Sequence, residues 1–262
     1  MSHAATRALV TGGSQGMGYA VAQELIAQGC RALVITGRDT AKGQTAAERL
    51  AQAGAEVTFL AADLSDIEAV TTLFERAREA LGEVNALVNA AADTARGTIL
   101  DTTPALWDRL QATNLRAPFF LTQAFAKAAI AGGHGGGVVN ILSVVVHGGL
   151  PFLAPYAASK AGLLNVTKNS AAALAPHGIR VNGINVGWME TPGEDMIQKR
   201  FHDRADGWET EAAQKLPFGR LVQPEEVARQ VAFFLSAESG IVTGATLDFD
   251  QQVVGIYPDT ND

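Results

Sequence analysis

Seven short runs of apolar and β-branched residues punctuate the chain: RALVTG (7–12), RALVITG (31–37), EVTFLAAD (56–63), NALVNA (85–90), GVVNILS (137–143), IRVNGINV (179–186) and ATLDF (245–249). Within each run the apolar positions are continuous rather than alternating, which predicts strands buried on both faces of a parallel sheet. Longer Ala-, Leu- and Glu-rich segments lie between them, at 16–28, 40–53, 65–81, 104–130 and 155–175, and these read as helices. Strand and helix alternate from end to end, so the expectation is an α/β fold: one doubly wound domain over residues 1–262 with a seven-stranded parallel sheet. Residues 191–215 form the most polar stretch and interrupt the alternation. They are expected to be an insertion at the carboxyl end of a strand, a lid over a substrate.

Composition narrows the class. The chain has 262 residues, 47% hydrophobic and 18% charged, with a net charge of −7. Acidic and basic residues are mixed along it, which argues against a nucleic-acid surface. No apolar run approaches membrane-spanning length, and the first residues lack the apolar core of a signal peptide. Cys30 is the single cysteine, so a disulfide within the chain and a thiolate metal cage are both excluded, and a cytoplasmic location is expected. The five histidines show no metal-ligand spacing, and no metal site is expected.

The first strand runs into TGGSQGMG (11–18), in which Gly12, Gly16 and Gly18 follow a G-x-x-x-G-x-G spacing and open a helix. Glycine there permits a tight turn and close approach of a pyrophosphate to the helix N-terminus. A nucleotide P-loop would place Lys after the last glycine, where Tyr19 stands. The second strand ends in VITGRD (34–39), with Gly37 where an acidic residue would hold a ribose diol and Arg38 after it. A guanidinium suits a 2′-phosphate, so NADP is favoured over NAD. Asp39 pulls the other way, and a solvated Arg–Asp turn is the alternative. Asp63 closes the third strand, placed to hydrogen-bond an adenine amino group.

YAASK (156–160) sets Tyr156 and Lys160 one helical turn apart with only small residues between them. With Asn114 in ATNLRAPF and Ser143 in NILSVVV, the chain resembles the short-chain dehydrogenase/reductase family over residues 6 to 250. The resemblance implies a Rossmann-like catalytic domain and an NAD(P)-dependent exchange of a secondary alcohol with a ketone. It also implies a catalytic tetrad of Asn114, Ser143, Tyr156 and Lys160. Cofactor contacts are implied at Gly12, Ser14, Gln15, Gly16, Met17, Gly18, Arg38, Asp63, Leu64, Asn89, Tyr156, Lys160 and Thr191. Free tyrosine has a pKa of about 10, too high for a base at neutral pH. The ammonium one turn away, with the charge of an oxidised nicotinamide, is expected to lower it. Ser143 would donate to the substrate oxygen, and Asn114 is expected to hold a water that links Lys160 to solvent.

The departures from the family pattern are specific. Asn-Asn-Ala-Gly appears here as NAAA (89–92), Pro-Gly after the sixth strand as Val186-Gly187, and Asp-Gly-Gly as Asp250-Gln251-Gln252. His147, Trp188 and Glu190 are expected to line the substrate pocket and hint at a sugar, polyol or other hydroxylated small molecule. Arg96, past the NAAA loop, reads as solvated, with an anionic substrate group as the alternative that would engage it. A cofactor-sensing regulator has no need of all four tetrad residues, and an epimerase or dehydratase on this fold usually carries a longer C-terminal substrate domain. In TKNSAAALAP (167–176) alanine covers most of the helix surface, which suggests packing on more than one side. The resemblance implies pairing across two-fold axes, so a homotetramer is expected ahead of a dimer.

Overall fold

Each apolar run becomes a strand of one sheet in the computed structural model, which describes residues 2–255. Met1 and residues 256–262, the end of the C-terminal tail, lie outside the described residues. The strands are β1 (Arg7–Thr11), β2 (Ala32–Gly37), β3 (Glu56–Ala61), β4 (Ala86–Asn89), β5 (Gly136–Ser143), β6 (Ile179–Val186) and β7 (Thr246–Phe249). Their order is β3-β2-β1-β4-β5-β6-β7, and every neighbouring pair is parallel.

The continuous apolar runs are explained by the two cores, one on each face. Ala8, Val10, Leu33, Ile35, Val88 and Ile141 point to one side, against α1 (Gly16–Ala27), α2 (Thr40–Ala51) and α9 (Pro224–Leu235). Leu9, Val34, Leu87, Val138 and Val181 point to the other, against α3 (Ile67–Leu81), α5 (Ala117–Gly132) and α6 (Ala154–Leu174). Alternate residues of the central strands serve opposite faces, whereas the edge strands β3 and β7 keep exposed polar positions, Glu56 and Asp248. Phe74 and Phe125 meet edge to face at 6.3 Å in the second core, and both are fully buried. Burying such a ring contributes about 2–3 kcal/mol.

The segment 104–130 is not one helix. α4 (Pro104–Gln111) and α5 are joined by a π turn at Ala112–Arg116, which carries Asn114. Residues 191–215 fold as α7 (Pro192–His202) and α8 (Trp208–Ala213), beyond the carboxyl end of β6. β1 has β2 on one side and β4 on the other, so successive crossovers run in opposite directions from it. That switch point opens a crevice at the carboxyl ends of the strands.

Candidate active site

The crevice is a cavity of about 1020 Å³ whose wall begins at the turn after β1. Gly12 has φ +68° and Gly16 φ +54°, conformations that side-chain-bearing residues avoid. A β-carbon on Gly18 would lie 2.5 Å from the Gly12 carbonyl oxygen, so only glycine lets the first turn of α1 sit this close to β1. The N-cap of α1, Gln15, makes no capping bond, and the first turn contains no acidic residue. The first amides of α1 therefore lack a side-chain cap beside the cavity, which fits a pyrophosphate.

The far end of the same wall is cationic. Arg38 is exposed and lines the cavity with Gly37, Asp63 and Leu64. Asp39 accepts the Lys42 amide proton at 3.0 Å as the N-cap of α2. The Lys42 ammonium reaches the Gln15 side chain across the rim. Asp63 is held below the usual carboxylate range, first by the Ser65 amide and hydroxyl and also by the charge of Arg38.

The reactive end is built on α6, β5 and the π turn. Tyr156 and Lys160 are buried on one face of α6, with the Lys160 ammonium 5.7 Å from the centre of the phenol ring. Lys160 donates to the Ile141 carbonyl at 2.7 Å. Its pKa is pushed down to about 8 by burial. Burial pushes Tyr156 up to about 12, against the smaller opposing pulls of the Ser143 hydroxyl and the Arg96 charge. In the chain by itself desolvation governs both groups, raising the phenol and making the ammonium easier to discharge.

Asn114 is fully buried and does not reach the cavity wall. Its side-chain oxygen accepts the Asp93 amide proton at 2.8 Å, and its amide donates to the Asp93 carbonyl at 2.8 Å and to Ser159 Oγ at 3.1 Å. Ser159 in turn donates to the Tyr156 carbonyl at 2.6 Å. Both amide hydrogens are committed, and through them the side chain braces α6. Asn89 is likewise buried behind the wall, donating to Asn140 Oδ1 at 2.8 Å.

Ser14, Gln15, Met17, Ser143 and Thr191 line the cavity, as does Trp188, which stacks on Trp208 at 5.6 Å. Thr191 caps α7 by accepting the Glu194 amide proton at 3.0 Å, so its own O–H stays available to a ligand. Two expected pocket residues are elsewhere. His147 ends a 3-10 turn that swings it to Asp248 of β7 at 3.0 Å, away from the cavity. Glu190 is exposed and accepts from Gln223 at 2.9 Å. Arg96 corrects the reading in the other direction: its side chain is only 13% exposed and lines the cavity with Phe152 and His202. No spacing in the sequence marks it, because the loop 90–103 has no periodicity to fix its direction. In the two altered motifs the residues that keep the family pattern, Gly187 and Asp250, meet each other, since a β-carbon on Gly187 would overlap the Asp250 carboxylate. Among the described residues there is no cluster able to hold a metal ion.

Known proteins resemble this chain over most of its length. Residues 12–251 match a family model described as enoyl-(acyl carrier protein) reductase. A (3R)-3-hydroxyacyl-CoA dehydrogenase of Canis lupus familiaris is 33% identical over 249 residues, covering 92% of this chain and 93% of the relative. A 2-dehydro-3-deoxy-D-gluconate 5-dehydrogenase of Escherichia coli is 32% identical over 244 residues, covering 93% of each. A crystal structure of a point variant of actinorhodin polyketide ketoreductase with NADPH superposes with a TM-score of 0.88 at 31% identity, covering 96% of this chain and 98% of that one. The relatives' substrates differ widely while the scaffold and the alcohol–carbonyl chemistry recur. This chain belongs to the short-chain dehydrogenase/reductase family of NAD(P)-using oxidoreductases and is an enzyme acting on CH–OH groups.

Proposed function

We propose that the enzyme interconverts a secondary alcohol and a ketone with Tyr156 as the general acid and base. The observation that carries this is the buried Tyr156–Lys160 pair at the cavity wall, with the Ser143 hydroxyl against the phenol. In reduction Tyr156 donates its proton to the carbonyl oxygen, and in oxidation it takes that proton back. Ser143 donates to the same oxygen and polarises the carbonyl. Lys160 stabilises the phenolate, and Asn114, through Asp93 and Ser159, holds the helix that carries both. The turn 11–18, Arg38, Asp63 and Thr191 would hold the cofactor, which supplies or takes the hydride when bound.

NADP is the favoured cofactor, supported by Arg38 at the rim and by the engagement of Asp39 in capping α2. Residues 191–215 act as the substrate lid, since α7 and the residues after it line the cavity. A homotetramer is the assembly supported by exposed apolar side chains within β7 or close to it in sequence, Ile241, Leu247, Val253 and Val254, and by Ile99, Leu100 and Phe119 around α4 and α5. Buried, lone Cys30 suits a reducing cytoplasm.

Tyr156→Phe tests the assignment. It is expected to lower turnover by at least 10³-fold in order of magnitude, while NADPH binding, followed by its fluorescence, persists more tightly than NADH binding. Turnover within tenfold of wild type would sink the role given to Tyr156.

A further inference from the structure

The cavity contains a cation that hydride transfer does not require. Arg96, in the loop between β4 and α4, is held from one side by neutral partners. Its Nε donates to His202 Nε2 at 3.3 Å, and one Nη1 hydrogen goes to the Thr94 carbonyl at 2.9 Å. The guanidinium carbon lies 5.7 Å from the centre of the Phe152 ring. His202 is pushed below its ordinary pKa by burial and by the Arg96 charge, so at neutral pH its ring is free to accept that bond.

The other edge of the guanidinium is open. Glu194 Oε1 stands 3.8 Å from Nη2, an ion pair that meets the charge but lies beyond hydrogen-bond distance and leaves the donors unfilled. The same oxygen is already engaged by Trp188 Nε1 at 2.9 Å and Gln198 Nε2 at 2.7 Å. Asp93, another carboxylate of the cavity wall, is bound by Arg109 at 2.8 Å. Nη2 and the remaining Nη1 hydrogen therefore have no hydrogen-bond partner among the described residues. An arginine this buried stays charged, and its open donors call for an acceptor. A hydroxyl would fill one donor, whereas a carboxylate fills two. The subsite shares its cavity with the reacting atoms, since Arg96, Ser143 and Tyr156 all line it, and the Arg96 charge pulls on the Tyr156 phenol.

We propose that Arg96 is a specificity-determining residue that binds a substrate carboxylate near the reacting carbon, which makes oxo acids and hydroxy acids the substrate class. This deepens the oxidoreductase reading and rests on it.

The test compares 3-oxobutanoate, 4-oxopentanoate and 5-oxohexanoate with their methyl esters, reduced with NADPH. One chain length is expected to give kcat/KM for the acid roughly 10- to 100-fold above that for its ester. In Arg96→Met that acid-to-ester ratio collapses towards one. In Arg96→Lys, which keeps the charge but not the fork, it falls to an intermediate value and supplies the comparison if the Met variant does not fold. Esters used as well as acids by the wild type, or a ratio unchanged in the variants, would overturn the proposal. For compounds that are not turned over, the thermal shift with NADP+ present decides, and equal shifts by acid and ester count against it. Tyr156→Phe separates the two readings. If the family chemistry is misassigned, that variant keeps turnover; if only the carboxylate is wrong, it loses acid and ester alike while the ratio in Arg96→Met stays put.

Discussion

Burial decides the order in which the active-site pair releases its protons. Lys160, at about 8, gives one up well before Tyr156, at about 12. Alcohol oxidation leaves a proton on the pair, so it requires the form that has already lost one, and reduction requires the protonated form. The oxidative kcat/KM is therefore expected to rise through pH 8 and the reductive one to fall over the same range. A flat oxidative profile from pH 6 to 10, with a substrate deuterium isotope effect showing that chemistry is rate-limiting, would contradict this. Sequence spacing placed the phenol and the ammonium together but carried no information on their desolvation, which raises Tyr156 and lowers Lys160 in the chain by itself. The same blindness explains His147 and Glu190. Both lie close in sequence to cavity residues, yet a 3-10 turn aims one at Asp248, and Gln223 holds the other outside. The burial of Arg96 was illegible for the converse reason, since the aromatic ring and the lid helix that shelter it come from distant parts of the chain.

Among elements, the strands were the most legible, because burial on both faces leaves unbroken apolar runs that loops do not have. The glycine turn was legible too, and it carries its own prediction. In Gly18→Ala the new methyl would meet only backbone, the Gly12 carbonyl at 2.5 Å and the Thr11 carbonyl oxygen at 2.9 Å, so β1 and α1 must part. Destabilisation of about 2 kcal/mol is expected, with a Tm several degrees lower. Weaker NADPH binding should accompany it, measured by scanning fluorimetry and titration; an unchanged Tm would mean that the turn yields at no cost. Helix α9 was missed in the sequence although its start is marked by Pro224 and by the Gln223–Glu226 capping box. The break at Ala112–Arg116 had no marker, since a π turn keeps helical composition and changes only the hydrogen-bond register.

At the scale of the molecule, exposed Ile241, Leu247, Val253 and Val254 lie close in sequence to β7 or within it, and the outer edge of β7 has no strand neighbour among the described residues. Such an edge is ordinarily covered or blunted. Light scattering at micromolar concentration is expected to give four times the 27.4 kDa chain mass, and a 27.4 kDa species would refute assembly. Strand order has a separate bearing on how the chain is made. β1 leaves the ribosome first, and β2 and β3 pack outward from one of its edges within the first 61 residues. Its other edge waits for Ala86–Asn89, after which each new strand lands on the one just before it. The nascent sheet thus grows at a single advancing front while the β3 side stays fixed. A stalled chain holds that apolar front open to any other strand, so the pace of translation bears on whether the protein folds or aggregates.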